Sequence, residues 1–193
     1  TFHQQRMVLG GSPIQIQTIW GSVTGDIESF FEGLNDNESY EFAVASNKRN
    51  PILWLKSNVS LNIGTLGGEF FASSAGASIT PTDISIEQIG QYGSTENVEP
   101  LIASGFTLFA QGGGRKLREL RFSDETKRNY ARDLNKVAEH IADAGIKQIV
   151  FQQEPYQVVW TLIGDKLFAL TYETEEDVFA WSEQDCGSVV SMA

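Results

Sequence analysis

Four acidic residues stand within five positions: Glu173, Glu175, Glu176 and Asp177. Paired carboxylates are the groups that carry out glycoside hydrolysis, and propeller folds host such enzymes. A catalytic pair, however, needs at least one acid that is partly withdrawn from water. These four lie between two predicted strands, where water relieves their mutual repulsion. We therefore predict a solvated turn, and no catalytic residue is assigned to it.

The sequence contains few histidine and cysteine residues that could act as nucleophiles, general bases or metal ligands. There are two histidines, His3 and His140, and one cysteine, Cys186. A single cysteine excludes an internal disulfide framework and a cysteine-based zinc site. Neither histidine has a serine or cysteine nucleophile beside it in sequence, and His140 is predicted on the polar side of a helix. We therefore predict no catalytic residues, no metal site and no cofactor site.

Three consecutive glycines, Gly112 to Gly114, could hold an anion on their backbone N–H groups. A phosphate-binding loop should open a helix and carry a Lys-Ser/Thr pair. Here the glycines lead into a segment that alternates like a strand. A hairpin turn that needs positive φ is the predicted structure.

The basic residues are concentrated in one stretch of an acidic chain. The net charge of the 193 residues is −11, which argues against a protein that wraps nucleic acid. Eight of the 14 Lys and Arg residues fall between positions 115 and 136, with four acids, so this stretch carries +4 and the remainder −15. Two interpretations stay open: a docking surface for an acidic subunit or a nucleic-acid backbone, or a strand face that pairs with its own acids. The candidate interface residues are Arg115, Lys116, Arg118, Arg121, Lys127 and Arg128.

The elements that must position these residues are mostly strands. Residues 147–184 read as four short β-prone runs joined by tight connections, with Gly164-Asp165 as a hairpin signal. A four-stranded antiparallel meander of this length is the unit of a β-propeller blade. The predicted fold class is therefore mainly β, with blade-like units at about 5–31 (partial), 41–86, 98–123 and 147–184. A β-sandwich is the competing architecture.

One segment has helical periodicity. Leu134, Val137, Ala138, Ile141 and Ala142 form a single apolar stripe. An amphipathic α-helix is predicted at about 133–144, with Asp133 as N-cap and Gly145 just past its end.

The tryptophans fall within or beside predicted strands. For Trp20, Trp54, Trp160 and Trp181 we expect core packing rather than an exposed sugar-binding platform.

An ordered set of short motifs runs through nearly the whole chain, the strongest being GGRKLREL at 113–120 and FQQEP at 151–155. The set resembles structural tail proteins of short-tailed bacteriophages and prophages, of the tail nozzle, tail tubular or packaged-DNA-stabilising kind. One departure is Ser182, where members commonly carry a histidine. The other matching positions are 2–12, 18–22 with 25–26 and Phe30, 50–54, 66–69, 80–82, 92–93, Tyr130 with 133–134, 140–141, 170–173 and 180–181.

This resemblance implies a structural role without catalysis or cofactor. Such proteins are several times longer, and the chain starts without Met, so we expect residues 1–193 to be a fragment of a longer protein. The implied partners are copies of itself and other tail or portal subunits, with passive contact with DNA in a channel and no membrane. The implied location is the virion tail, and the host cytoplasm during assembly. The alternative is a carbohydrate-binding or glycan-cleaving propeller that acts on host surface polysaccharide.

Overall fold

The structure, a computed structural model, describes residues 1–46, 49–123 and 128–192. The described chain is mainly β and divides into two compact units, Thr1–Gly93 and Ser94–Ala193. Each unit contains two four-stranded antiparallel sheets. In every sheet the strands follow chain order, so each strand pairs with the next one along the sequence. The predicted mainly β fold of four-stranded antiparallel meanders is confirmed.

The first unit holds strands β1 to β8. The strands are β1 (Phe2–His3), β2 (Arg6–Gly10), β3 (Thr18–Gly21), β4 (Tyr40–Ala43), β5 (Ile52–Ser57), β6 (Leu61–Thr65), β7 (Gly68–Ser73) and β8 (Ser85–Gly90). In the first sheet, β2 and β3 are the two central strands, and a long connection separates β3 from β4. In the second sheet, a tight turn at Leu66 and Gly67 joins β6 to β7.

The second unit holds strands β9 to β16 and the single helix of the described residues, a 3₁₀ helix over Lys136–Ala142. The strands are β9 (Leu101–Ala103), β10 (Phe106–Ala110), β11 (Leu117–Ser123), β12 (Arg128–Asp133), β13 (Ile146–Gln152), β14 (Val158–Ile163), β15 (Lys166–Glu173) and β16 (Val178–Gln184).

The strands of the last sheet agree with those predicted for residues 147–184 to within two residues at each end. The boundaries of the other predicted units need correction. Tyr40–Ala43 closes the first sheet, whereas the prediction placed it in a unit at 41–86. The fourth strand of the second sheet is instead Ser85–Gly90, and β12 extends the third sheet ten residues beyond the predicted end at 123.

The predicted α-helix at 133–144 is a 3₁₀ helix of seven residues, interrupted at Ala138 by non-helical dihedral angles. The cause is the ladder between β11 and β12, which pairs Arg118 with Asp133 and lets the Leu134 N–H donate to the Leu117 carbonyl. Pairing therefore takes Asp133, the predicted N-cap, and Leu134 out of the helix, and Asn135 stands at the N-cap position instead. Val137, predicted on the apolar stripe, is 87% exposed.

Each unit buries one face of each of its sheets in a common core. In the first unit, Val8 and Ile19 pack with Leu61, Ile63 and Phe70 of the second sheet. In the second unit the core joins the third sheet to the fourth. Its members include Leu108, Leu117, Val159, Leu170 and Tyr172.

Gly64 gives the β5–β6 pair its close fit. It lies opposite Trp54 in the ladder, and a Cβ built on it would overlap the indole ring. Trp54 is buried, so the ring covers a glycine where any other residue would carry a side chain. The sequence alone does not show this pairing, because it depends on the register.

We expect Gly64→Ala to destabilise the chain by about 1–3 kcal/mol, because the added methyl group must displace the Trp54 ring from a packed site. Urea unfolding followed by tryptophan fluorescence would measure the change in the free energy of unfolding.

Gly76→Ala is the matched control. A Cβ at Gly76 would meet only Asp83 Oδ2, at 3.5 Å. Its cost should stay within about 0.5 kcal/mol. Equal effects of the two substitutions would contradict the packing role assigned to Gly64.

Candidate interface and charged clusters

Of the four candidate interface residues whose side chains the structure describes, Arg115 alone is exposed. Arg115 is exposed, Lys116 is half-buried and Arg118 is only 8% exposed. Lys127 lies outside the described residues, and for Arg128 only the backbone, in β12, is described. Docking through Arg115 therefore stays a prediction.

Arg118 is held inside the protein by polar groups of its own unit. Its Nε donates to Gln111 Oε1 at 2.7 Å, and its NH1 group donates to the Ala131 carbonyl at 2.8 Å. Lys116 bridges two acids, Asp133 at 2.7 Å and Glu139 at 2.9 Å. Both side chains are engaged within the second unit, as the interpretation of a strand paired with its own acids expects.

Arg121 belongs to a buried cluster between the two sheets of the second unit. Its Nε is paired with Glu119, whose side chain is fully buried, and its guanidinium lies 4.5 Å from the centre of the Phe106 ring. Tyr172, on the facing sheet, is also fully buried. Burial raises the pKa of the Glu119 carboxyl, while Arg121 and the Tyr172 hydroxyl act in the opposite direction. Burial likewise raises the pKa of Tyr172, and Glu119 adds to that effect.

A second charged group borders this cluster. Arg132 NH1 donates to Asp177 at 2.6 Å, and its guanidinium stacks 4.3 Å from the centre of the Phe179 ring. The hydrogen bond from Arg132 lowers the pKa of Asp177. These residues, with Lys136 and Val137, line a cleft of about 480 Å³. Its two cations and two anions, Asp133 included, cancel in charge.

The other residues singled out in the sequence have ordinary positions. Glu175, Glu176 and Asp177 are exposed in the turn between β15 and β16, as predicted, whereas Glu173 is the half-buried last residue of β15. Gly113 and Gly114 have φ of 91° and 69° in the β10–β11 turn, which confirms the hairpin prediction. His140 is exposed, as expected.

His3 is buried although it lies near the N-terminus. It is 6% exposed, and its Nδ1 lies 2.8 Å from Ser57 Oγ in β5. Burial lowers its pKa, which favours the neutral imidazole.

Of the four tryptophans, Trp54 is buried and the others are half-buried. Two of these are held by their indole N–H groups. Trp160 donates to Gln152 Oε1 at 2.8 Å, and Trp181 donates to the Leu134 carbonyl at 3.0 Å.

Within the described ranges, no group of three or more His, Cys, Asp or Glu side chains is placed to hold a metal ion. Among those same residues, no helix has the length and apolar character that crossing a bilayer requires.

The chain matches no protein-family model and no curated protein sequence. We therefore infer its function from the geometry of these residues and from the resemblance of the sequence motifs.

A buried cation in the first unit was missed by sequence reasoning. Arg6 is 2% exposed, and its guanidinium donates to the carbonyls of Ser22 (2.5 Å), Asp36 (2.5 Å) and Glu38 (2.6 Å). It also lies 5.4 Å from the centre of the Tyr40 ring. The available signal was that Arg6 is followed by a stretch, residues 7–47, with six acids and no Lys or Arg.

We expect Glu119→Leu to destabilise the chain by about 2–4 kcal/mol, because it leaves the largely buried Arg121 guanidinium without its carboxylate. Urea unfolding at neutral pH gives the free energy difference. Glu183→Leu is the control, since Lys166 and Glu183 form an exposed pair whose loss should cost less than about 1 kcal/mol. A cost for Glu119→Leu no larger than the control's would show that the buried pair does not stabilise the core.

We expect Tyr40 to make the stability of the chain depend on pH in the alkaline range. Burial raises the pKa of Tyr40 to about 12, although the Arg6 guanidinium acts in the opposite direction. The unfolded value is about 10, so the folded state holds the phenolic proton more tightly. This contribution is fully present below about pH 10 and is lost as the pH rises through about 12. The expected loss is on the order of 2 kcal/mol.

Tyr40→Phe should remove this part of the alkaline decline. At neutral pH it should be neutral or slightly stabilising, because the buried Tyr40 hydroxyl has no hydrogen-bond partner within the described residues. Urea unfolding across the alkaline range tests both points, with Tyr156→Phe at an exposed tyrosine as the control. An unchanged alkaline slope in Tyr40→Phe would contradict the assignment.

Proposed function

We propose that this chain is part of a non-enzymatic structural component of a bacteriophage or prophage tail, a nozzle or hub protein. In that role it contributes to virion assembly and to DNA retention and ejection. The observation that carries the proposal is the series of four chain-ordered antiparallel meanders. This is the blade-type architecture that the motif resemblance implies.

The charge distribution supports a conduit role. The chain carries −11, and three of its clustered cations, Lys116, Arg118 and Arg121, are engaged inside the second unit. The remaining surface is rich in carboxylates, which repel the phosphate backbone. A wall of that kind would let DNA pass without adhering. The proposed partners are further copies, tail and portal subunits, and DNA in passive contact. The proposed location is the virion tail.

The alternative, carbohydrate recognition, has one observation in its favour. A cleft of about 230 Å³ in the first unit is lined by amide side chains and an arginine, groups that hydrogen-bond to sugar hydroxyls. Its polar lining residues are Ser46, Arg49, Asn50, Gln88 and Gln91.

Immunogold electron microscopy tests the tail proposal. Antibodies raised against the 193-residue chain would be applied to particles purified from the source bacterium or virus after induction. Gold should lie at the tail end of the particles, and antibody absorbed with the chain should remove it. Gold absent from the particles, with the antigen in other cell fractions, would overturn the proposal.

A glycan array with the same chain addresses the alternative. Saturable binding that is lost in Gln88→Ala but kept in Gln152→Ala would favour carbohydrate recognition, since Gln152 lies in the other unit. Absence of binding, together with tail labelling, would reject it.

A further inference from the structure

The connection between β3 and β4 exposes large apolar side chains. Four of them lie within eight positions: Ile27, Phe30, Phe31 and Leu34, with exposed fractions of 45, 37, 73 and 82%. We name residues 22–39 the 22–39 loop. Scattered exposed apolar residues are normal, but a cluster of this kind in one loop is typical of an interaction site.

The 22–39 loop is held from inside the unit. Arg6 binds carbonyls at both of its ends, at Ser22 and at Asp36 and Glu38. Two backbone hydrogen bonds add to this, from Thr24 N to the Asn37 carbonyl and from Gly25 N to the Gln5 carbonyl, each at 2.9 Å. The apolar side chains are thus displayed on an ordered frame, which lowers the entropy cost of binding through them.

The same loop is strongly acidic. It carries Asp26, Glu28, Glu32, Asp36 and Glu38 without a single Lys or Arg. In the part of the chain that the structure describes, none of these five carboxylates forms an ion pair. Their charge is therefore available to an external cation.

A cleft of about 380 Å³ adjoins the loop. Its lining includes Glu32, Glu41 and Pro81, whereas Tyr40, which also borders it, is buried in the core. Glu41 accepts a hydrogen bond from the neutral Gln15 amide at 2.9 Å. The cleft thus places two acidic residues beside the apolar side chains of the loop, where a Lys or Arg of a partner can pair with them.

We propose that the 22–39 loop and this cleft form a docking surface for a protein partner that presents an apolar patch rimmed by Lys or Arg. The exposed loop side chains fill the apolar patch, and a basic side chain of the partner reaches Glu32 and Glu41. A second copy fits poorly, because the chain carries a net charge of −11 and two copies repel each other. The proposal rests on the first unit alone and does not require the tail assignment.

Isothermal titration of the full chain with two synthetic peptides tests this surface. One is an amphipathic helix of Leu and Lys, and the other has Glu at every Lys position. The Leu–Lys peptide should bind saturably and the Leu–Glu peptide should not. Phe31→Ser with Leu34→Ser should weaken binding by about 10-fold or more. Glu32→Gln with Glu41→Gln should weaken it by about 5-fold and reduce its salt dependence.

Matched controls separate a site from a generally acidic surface. Ile14→Ser with Val59→Ser replaces two side chains that are each 93% exposed and lie outside the loop. Glu87→Gln removes an exposed acid of β8. Both controls should bind as the unaltered chain does, and circular dichroism would verify the fold of every variant.

Four outcomes would overturn the proposal. The first is no saturable binding of the Leu–Lys peptide, and the second is equal weakening by the control variants. The third is binding to phosphatidylcholine vesicles that Phe31→Ser with Leu34→Ser abolishes, which would assign the loop to a membrane surface. The fourth is a dimer in analytical ultracentrifugation that the same double variant dissociates, which would assign it to a second copy.

Discussion

A four-stranded meander has two faces and cannot bury either of them alone, so a partner sheet is the condition for its stability. In this chain each unit meets that condition by packing one sheet against the next one in sequence. The cores contain both aliphatic and aromatic residues, many of them at alternate strand positions, such as Leu61 and Ile63 or Phe168 and Leu170. The polar residues trapped in these layers, such as Glu119 and Arg6, must find partners there because water does not reach them.

This condition explains why Arg118 and Arg121 are engaged inside the second unit. β11 is buried on both faces over Leu117 to Leu120, so Arg118 and Glu119 are enclosed together with the apolar residues beside them. An enclosed guanidinium is stable only with carbonyl or carboxylate partners, and the structure supplies both kinds. A local excess of Lys and Arg in a sequence therefore does not by itself indicate a basic surface.

Local pattern was sufficient for part of the fold. The Gly164-Asp165 turn and the alternation around it located β14 and β15 because these features are encoded within a few residues. The pairing of Tyr40–Ala43 with β3 could not be predicted from local sequence, because it requires an 18-residue connection to fold back onto β3. The predicted α-helix does not form because the β11–β12 ladder extends to Asp133. The role of Arg6 depends on carbonyl groups up to 32 residues away in the sequence. Such contacts leave no periodic signal.

The chain-ordered pairing of the sixteen strands in the described residues has a kinetic consequence. Each ladder joins neighbours in sequence, so most strand pairing closes only a short loop, and the contact order is low for a β protein. Each sheet can form as soon as its four strands have left the ribosome, with no need to wait for a distant segment. Unpaired strands are therefore exposed only briefly during synthesis, which limits the interval in which they can aggregate.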